Sequence, residues 1–428
     1  MQQYDVDYVR RQFPSLDLEV EGRPAVFLDG PGGTQTPRRV MDAVDRHFLE
    51  ANANAAGAFV TSRRTDATID AARQAMADFL GCDPDEIVFG ANMTTLTSLL
   101  AQSLARDLRP GDEIVVTELD HEANRGPWLD LEERGAVVRQ VPVDVTSCTL
   151  DWGACEGLVN ERTRIIALGH ASNAVGTVNN VFSAVAQAHR VGALTVVDAV
   201  HSAPHEVIDV RDLGCDVLIC SAYKFFGPHV GAMYVRREVA SQIRALHLRT
   251  QSGEPPEKFE TGTLCHEGLA GLAAAVDFIA DVGRHQREWI VAVAEAGARL
   301  AGLAGRRRDI VAGMLAIEAY ERSLATRLLG GLAAAPEVTV YGPRVGAART
   351  PTAAFTAGRW HAADLARRLG ELGFFVWDGH FFALRLVERL GLLERGGLVR
   401  AGLAPYTTAD EVERFVAAVH ELAPARRA

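Results

Sequence analysis

The segments ALTVVDAVHSAPH (193–205) and VLICSAYKFFGPHVGAMYV (217–235) decide the fold. Each opens with an apolar run of strand length and then turns polar. Asp198 ends the first run and Lys224 follows the second, before Gly227, Pro228 and Gly231 bend the chain into another apolar run. Strands this apolar belong to a sheet covered on both faces. Working outward, similar runs are EIVFG (86–90), EIVVTEL (113–119), VVRQVPV (137–143) and RIIALGHAS (164–172). Helical periodicity separates several of them, as in TTLTSLLAQSLARDL (94–108) and VFSAVAQAHRVG (181–192). Strands alternating with helices predict an α/β fold with a large, mostly parallel sheet. Ligands of such sheets bind beyond the carboxyl ends of the strands.

Downstream the pattern changes. A helical stretch over 268–333, broken near GLAGRRRDI (302–310), precedes VTVYG, TAAFTA, a helix over 361–372, FFVWDG, a helix over 384–390, LVRAGLA and a final helix, TADEVERFVAAVHEL. That succession predicts a small C-terminal α+β domain. The expected division is an N-terminal segment (1–20) packing on the small domain, a large domain (21–285) and a small domain (286–428). A chain of 428 residues has ample core for this arrangement.

Composition excludes several classes. Forty-four basic against 55 acidic residues give a net charge of −11, with no basic block, which argues against nucleic acid or an anionic membrane as partner. No apolar stretch reaches the roughly 18 residues of a membrane span. The start, MQQYDVDYVRRQFPSL, carries charges where an export signal needs an apolar run, so a cytoplasmic location is expected. The cysteines Cys82, Cys148, Cys155, Cys215, Cys220 and Cys265 form no C-x-x-C pair, and no metal site is expected.

The residues at the strand ends carry the chemistry. A lysine in a Gly/Pro-bent loop between apolar strands is partly desolvated, which lowers its pKa and suits it to Schiff-base formation. A strand-end Asp198 can close an Asx-turn, or keep the pyridine nitrogen of pyridoxal 5'-phosphate protonated so that the ring acts as an electron sink. His121, after EIVVTEL, could stack on a flat ring, and Asn173, after RIIALGHAS, could donate to a ring oxygen. Met93, Thr94 and Thr95 start a helix whose free amides suit a phosphate, although a capping threonine explains them too.

The order of these elements resembles the class V aminotransferase family, in particular the group II cysteine desulfurase and selenocysteine lyase branch, with likeness also to isopenicillin N epimerase-like sequences. The matching stretches are LDGPGGTQTP (28–37), ANMTTLT (91–97), ELDHEANRGPW (118–128), HASNAVGT (170–177), VVDAVHSAPH (196–205), SAYKFFGP (221–228), FETGT (259–263) and VRAGLAPYTTADEV (399–412). The resemblance implies a fold type I pyridoxal-phosphate enzyme and a homodimer with shared active sites. It makes Lys224 the Schiff-base lysine, Asp198 the pyridine partner and His121 the stacking residue, with Asn173 at the ring hydroxyl. Met93, Thr94 and Ser221 would hold the phosphate, and Thr263 would reach that of the neighbouring subunit. Arg400 would clamp the substrate carboxylate, in a site bordered by Gly32.

Departures from the family pattern are equally informative. His201 replaces the glutamine of Asp-x-x-Gln, as a donor or proton carrier near the ring hydroxyl or as a packing substitute. Tyr223 replaces the histidine before the lysine and could still donate to phosphate. Desulfurases of this branch carry Arg-x-Gly-His-His-Cys where this chain reads Trp377-Asp378-Gly379-His380-Phe381-Phe382. Phe382 cannot carry sulfur as a persulfide. Phe381 and Phe382 could form a packed aromatic strand end. Alternatively, Trp377, Asp378, His380 and Phe382 line a pocket for a bulkier or cationic substrate group. Cys265 could replace the missing thiol, or be an ordinary buried cysteine.

The expected function is therefore a C–S lyase. It would act on cysteine or an S-substituted cysteine by β-elimination, with Lys224, Asp198 and His121 as catalytic residues. Alternatives are epimerisation, transamination or decarboxylative oxidative deamination of an amino acid, and a true cysteine desulfurase. A scaffold without turnover would have no use for Lys224, Asp198, His121 and Arg400 together.

Overall fold

The computed structural model describes residues 3–153, 157–292 and 296–424. All seven apolar runs of the first half become strands of one sheet: β1 (Ile87–Gly90), β2 (Glu113–Thr117), β3 (Val137–Val141), β4 (Thr163–Gly169), β5 (Leu194–Asp198), β6 (Val217–Ser221) and β7 (Gly231–Val235). Their order is β1-β7-β6-β5-β4-β2-β3, and only β7 runs antiparallel to its neighbours. Along β4, Ile165 and Ala167 face one core while Ile166 and Leu168 face the other; Val196 and Val197 divide likewise on β5. Helices thus cover both faces, and each fully buried aliphatic side chain contributes about 1.5–3 kcal/mol.

Helix α1 (Met93–Leu104) follows β1 directly and α2 (Val181–Arg190) crosses from β4 to β5. The long helical stretch divides into α3 (His266–His285), two short helices and α4 (Gly305–Ala333). Gly302 and Gly305, at φ +78° and +55°, make the break before α4. The first half of α4, through Ile317, packs in the large core, whereas Leu324 to Leu332 pack in the small one. One helix therefore joins the two cores. The N-terminal segment lies across this junction: Tyr4 stacks on Tyr320 at 4.1 Å, and Arg10 pairs with Glu411 at 3.0 Å.

The C-terminal sheet is antiparallel, with the order β8 (Val338–Tyr341), β9 (Thr352–Ala357), β11 (Leu398–Gly402) and β10 (Trp377–Gly379). On β11, Arg400 stands opposite Ala354 of β9 and Trp377 of β10. Among the described residues, no helix is long and apolar enough to cross a membrane.

Candidate active site

A cavity of about 820 Å³ opens beyond the carboxyl ends of β4, β5 and β6 and beneath the small sheet. It gathers Gly32, Met93, Thr94, His121, Asn173, Asp198, His201, Ser221, Tyr223 and Lys224 from the large sheet side, and Trp377, Asp378, His380, Phe382 and Arg400 from the small one. Thr263 is the exception. It is exposed in a separate recess that it shares with Cys265.

Strand register brings the central groups together. Asp198 ends β5 beside Gly169 of β4, and its Oδ1 accepts the Val200 N–H at 2.9 Å, the Asx-turn foreseen from sequence. Burial pushes its carboxyl up to about 6, against the pull of that hydrogen bond and of Lys224. Lys224, in the turn after β6, is buried, and its Nζ donates to the Pro31 carbonyl. Desolvation, assisted by the Arg400 charge and opposed by Asp198, brings it down to about 7. The amine is thus available as a base or nucleophile near neutral pH. Tyr223 stacks on His229 at 4.8 Å, with Lys224 Nζ 5.2 Å from the Tyr223 ring.

At one wall, the Ser221 hydroxyl accepts the Met93 N–H at 3.0 Å and thereby ties α1's first turn to the end of β6. The α1 N-terminus presents the positive end of its dipole and so favours an anion, but Met93 N–H is tied to Ser221 and Thr95 N–H to the Asn92 side chain at 3.0 Å, a correction to the free amides expected from sequence. His121 caps the next turn, its Nδ1 accepting the Ala123 N–H at 2.9 Å. Burial and the charges of Lys224, Arg400 and His380 hold it near 4, and so neutral.

Arg400 is buried and its Nη1 donates to the Asn173 carbonyl at 2.6 Å, while the guanidinium lies 4.2 Å from the Phe381 ring centre. Its Nε has no hydrogen-bond partner among the described residues. Burial draws it down to about 9, still a cation at neutral pH. Asn173 donates through Nδ2 to the Phe381 carbonyl at 2.7 Å, so that donor is engaged in the protein, while the buried Oδ1 has no partner among the described residues.

The aromatic segment divides in a way the sequence did not foresee. Phe381 is packed, as one alternative expected, but Phe382 is 64 % exposed at the mouth of the cavity, with Trp377 at 50 %. The packed strand end therefore holds for Phe381 and fails for Phe382. Both phenylalanines lie in the left-handed region, at φ +53° and +58°. Hydrogen bonds from Asn173 Nδ2 to the Phe381 carbonyl and from the Glu122 N–H to the Phe382 carbonyl (2.7 Å) pin the turn to the large domain. Its strain is held by contacts on the far side of the cavity. The Trp377 indole lies directly over Gly32, where an added Cβ would stand 2.1 Å from Nε1. Cys265 is exposed, a correction to the buried thiol expected from sequence. No cysteine lines the cavity among the described residues, and Cys155 lies outside them.

The sequence reading passed over Asp120. It lines the cavity, fully buried, with Oδ1 accepting the Gly169 N–H at 2.9 Å and Oδ2 the Asn124 amide at 3.1 Å. Burial pushes it up to about 7, and the nearby Asp198 adds to the shift. The signal was present, since Asp120 directly precedes His121 at the same strand end.

A flat pyridine ring bearing a phosphate fits this donor set. Asp198 is a buried carboxylate whose pKa is raised by burial, and a protonated pyridine nitrogen beside it would stabilise its charged form. The α1 N-terminus with Ser221 suits a phosphate, His121 presents an uncharged ring, and Lys224 supplies an amine at its working pKa.

Comparison with known proteins gives a consistent result. The family model for class-V aminotransferases matches residues 26–308 and 309–415. A cysteine desulfurase of Pectobacterium carotovorum is 33% identical over 436 residues, covering 98% of each chain. The aminotransferase-like protein FGM3 of Gibberella zeae is 30% identical, covering 97% of this chain and 98% of that one. The apo structure of a cysteine desulfurase from Thermococcus onnurineus superposes over 100% of both chains, with a TM-score of 0.85 and 27% identity.

Proposed function

The chain belongs to the class-V aminotransferase family of pyridoxal 5'-phosphate enzymes, and from that premise we propose that it cleaves the C–S bond of cysteine or, preferentially, of an S-substituted cysteine by β-elimination. The products are a thiol, pyruvate and ammonia, with one water consumed. The observation that carries this reading is the cavity mouth. Phe382, which by resemblance occupies the persulfide position of desulfurases, stands there exposed, and no cysteine lines the cavity among the described residues.

Bound pyridoxal phosphate supplies an electron sink for the pair left at Cα. Lys224 would hold it covalently and Asp198 would face its pyridine nitrogen. The α1 N-terminus, with Ser221 and Tyr223, would face its phosphate. Arg400 holds the substrate carboxylate on its Nε and Nη2 edge, a bidentate fork. Lys224 takes the Cα proton at Nζ, where burial has lowered its pKa to about 7. The Cβ–S pair leaves with sulfur toward the mouth, where Trp377 and Phe382 receive the S-substituent. Elimination asks for no protein nucleophile, which agrees with an aromatic residue at 382. Thr263, outside this cavity, serves the second active site of a homodimer.

The test is a panel of S-alkyl and S-aryl cysteines assayed for thiol and pyruvate. Equal amounts of both support the reading; exchange of the Cα hydrogen without elimination would move it to epimerisation. The names of the bacterial relatives favour a second reading, cysteine desulfuration, for which Cys265 is the exposed thiol among the described residues. Sulfur release abolished by Cys265→Ser would support that one.

A further inference from the structure

His201 follows Asp198 by three residues, lines the cavity, and is nevertheless anchored by the small domain. Its Nε2 lies 3.0 Å from the Thr352 hydroxyl and 3.1 Å from that of Thr350. All three residues are buried. The Thr350 hydroxyl is placed to donate to the Thr352 Oγ1 at 3.3 Å or to the Gly176 carbonyl at 3.4 Å. Between the two hydroxyls the geometry among the described residues suits donation from Thr350 to Thr352. The Thr352 proton therefore has His201 Nε2 as its acceptor. An imidazole that accepts at Nε2 carries its proton on Nδ1. That nitrogen has no hydrogen-bond partner among the described residues, on a ring that faces the cofactor cavity.

Electrostatics agree with a neutral ring. Burial, then the neighbouring His205, Lys224 and Arg400, hold His201 well below its ordinary pKa. His205, whose ring lies 5.6 Å away edge-on, is itself bound to Glu321 at 2.8 Å. The anchor also belongs to the machinery of the substrate clamp. Thr352 pairs with Gly402 on the same two strands where Ala354 pairs with Arg400. Thr350 is itself fixed by its N–H to the Gly176 carbonyl at 2.8 Å.

We infer that Thr350 and Thr352 are positioning residues that fix His201 as its Nδ1–H tautomer, so that Nδ1–H donates into the cavity to the ring oxygen of the bound cofactor. This rests on the reading of the cavity as the cofactor site. A donor at this point reproduces what the amide of the family's glutamine offers, by a different group that depends on two hydroxyls from the small domain.

The test uses holoenzyme labelled with 15N-histidine, with His201→Gln identifying the signal. The spectrum should show a protonated Nδ1 and an unprotonated Nε2; a proton on Nε2 would overturn the inference. Cofactor dissociation constants supply the second readout. His201→Leu should weaken binding about ten-fold, and His201→Gln should restore most of it. Thr352→Val should weaken it several-fold alone but not further in the His201→Leu background. Equal loss in both backgrounds would make Thr352 merely structural and refute its role. A wild-type chain that binds no cofactor would instead overturn the site assignment.

Discussion

Replacing Arg400 with glutamine tests the clamp on which substrate binding depends. Arg400 is 4 % exposed, one of its nitrogens is committed to the Asn173 carbonyl at 2.6 Å, and its Nε has no partner among the described residues. The free edge can give a carboxylate two charge-assisted hydrogen bonds, each about 1.5–3 kcal/mol. Glutamine keeps one neutral donor, about 1 kcal/mol, so the net loss is about 2–5 kcal/mol, or roughly 30- to 5000-fold in kcat/KM. Steady-state pyruvate release from an S-substituted cysteine measures it, and the visible cofactor band reports whether the site is intact. Arg400→Lys should recover only part of the loss, because an ammonium lacks the planar fork. The comparison that isolates the carboxylate is cysteamine, which has none: its binding to the cofactor, read spectroscopically, should change less than about three-fold. A fall in kcat/KM below ten-fold with the band intact, or equal losses for both compounds, would refute the clamp.

Three further outcomes follow from the same geometry. In cofactor-free protein, Lys224 titrates near 7 against 10.5 when unfolded; the unfolded chain then binds the extra proton, so stability rises with pH across that window. The stability of wild type minus that of Lys224→Met should accordingly climb by up to about 1.4 kcal/mol per pH unit between pH 7.5 and 10 in denaturant titrations, and a flat difference would contradict the buried amine. Phe382→Ala should raise KM for an S-benzyl cysteine about two- to ten-fold, the worth of one aromatic contact, and leave L-cysteine within two-fold; equal shifts would remove Phe382 from substrate recognition. Gly32→Ala should displace the Trp377 indole, because its Cβ would lie 2.1 Å from Nε1. The same selective loss for S-aryl substrates is expected, and an unchanged substrate profile would show that the indole forms no part of the pocket.

Much of this was legible because strands apolar on both faces mark a buried parallel sheet, whose ends must then face its ligand. Asp198, Lys224, His121 and Asn173 could be found in that way from position alone, and Asp120 should have been. The small domain was readable in its elements but not in its reach. Nothing in TPTAAFTA announces that Thr350 and Thr352 meet His201, since a contact across 150 residues depends on how two sheets dock. Nor does a Phe-Phe pair reveal its backbone. Adjacent aromatic residues suggest a packed strand end, whereas the hydrogen bonds from Asn173 and Glu122 hold Phe381 and Phe382 in a left-handed turn that exposes only the second. The exposure of Cys265 was equally hidden, because a cysteine's type favours burial while its place at the start of α3 leaves it outside.

The central claim is that sulfur leaves by elimination and not by transfer to a protein thiol. The direct measurement is the organic product formed from L-cysteine. Pyruvate equimolar with sulfide, undiminished in Cys265→Ser, is the predicted result; alanine formed in step with a protein persulfide would contradict it.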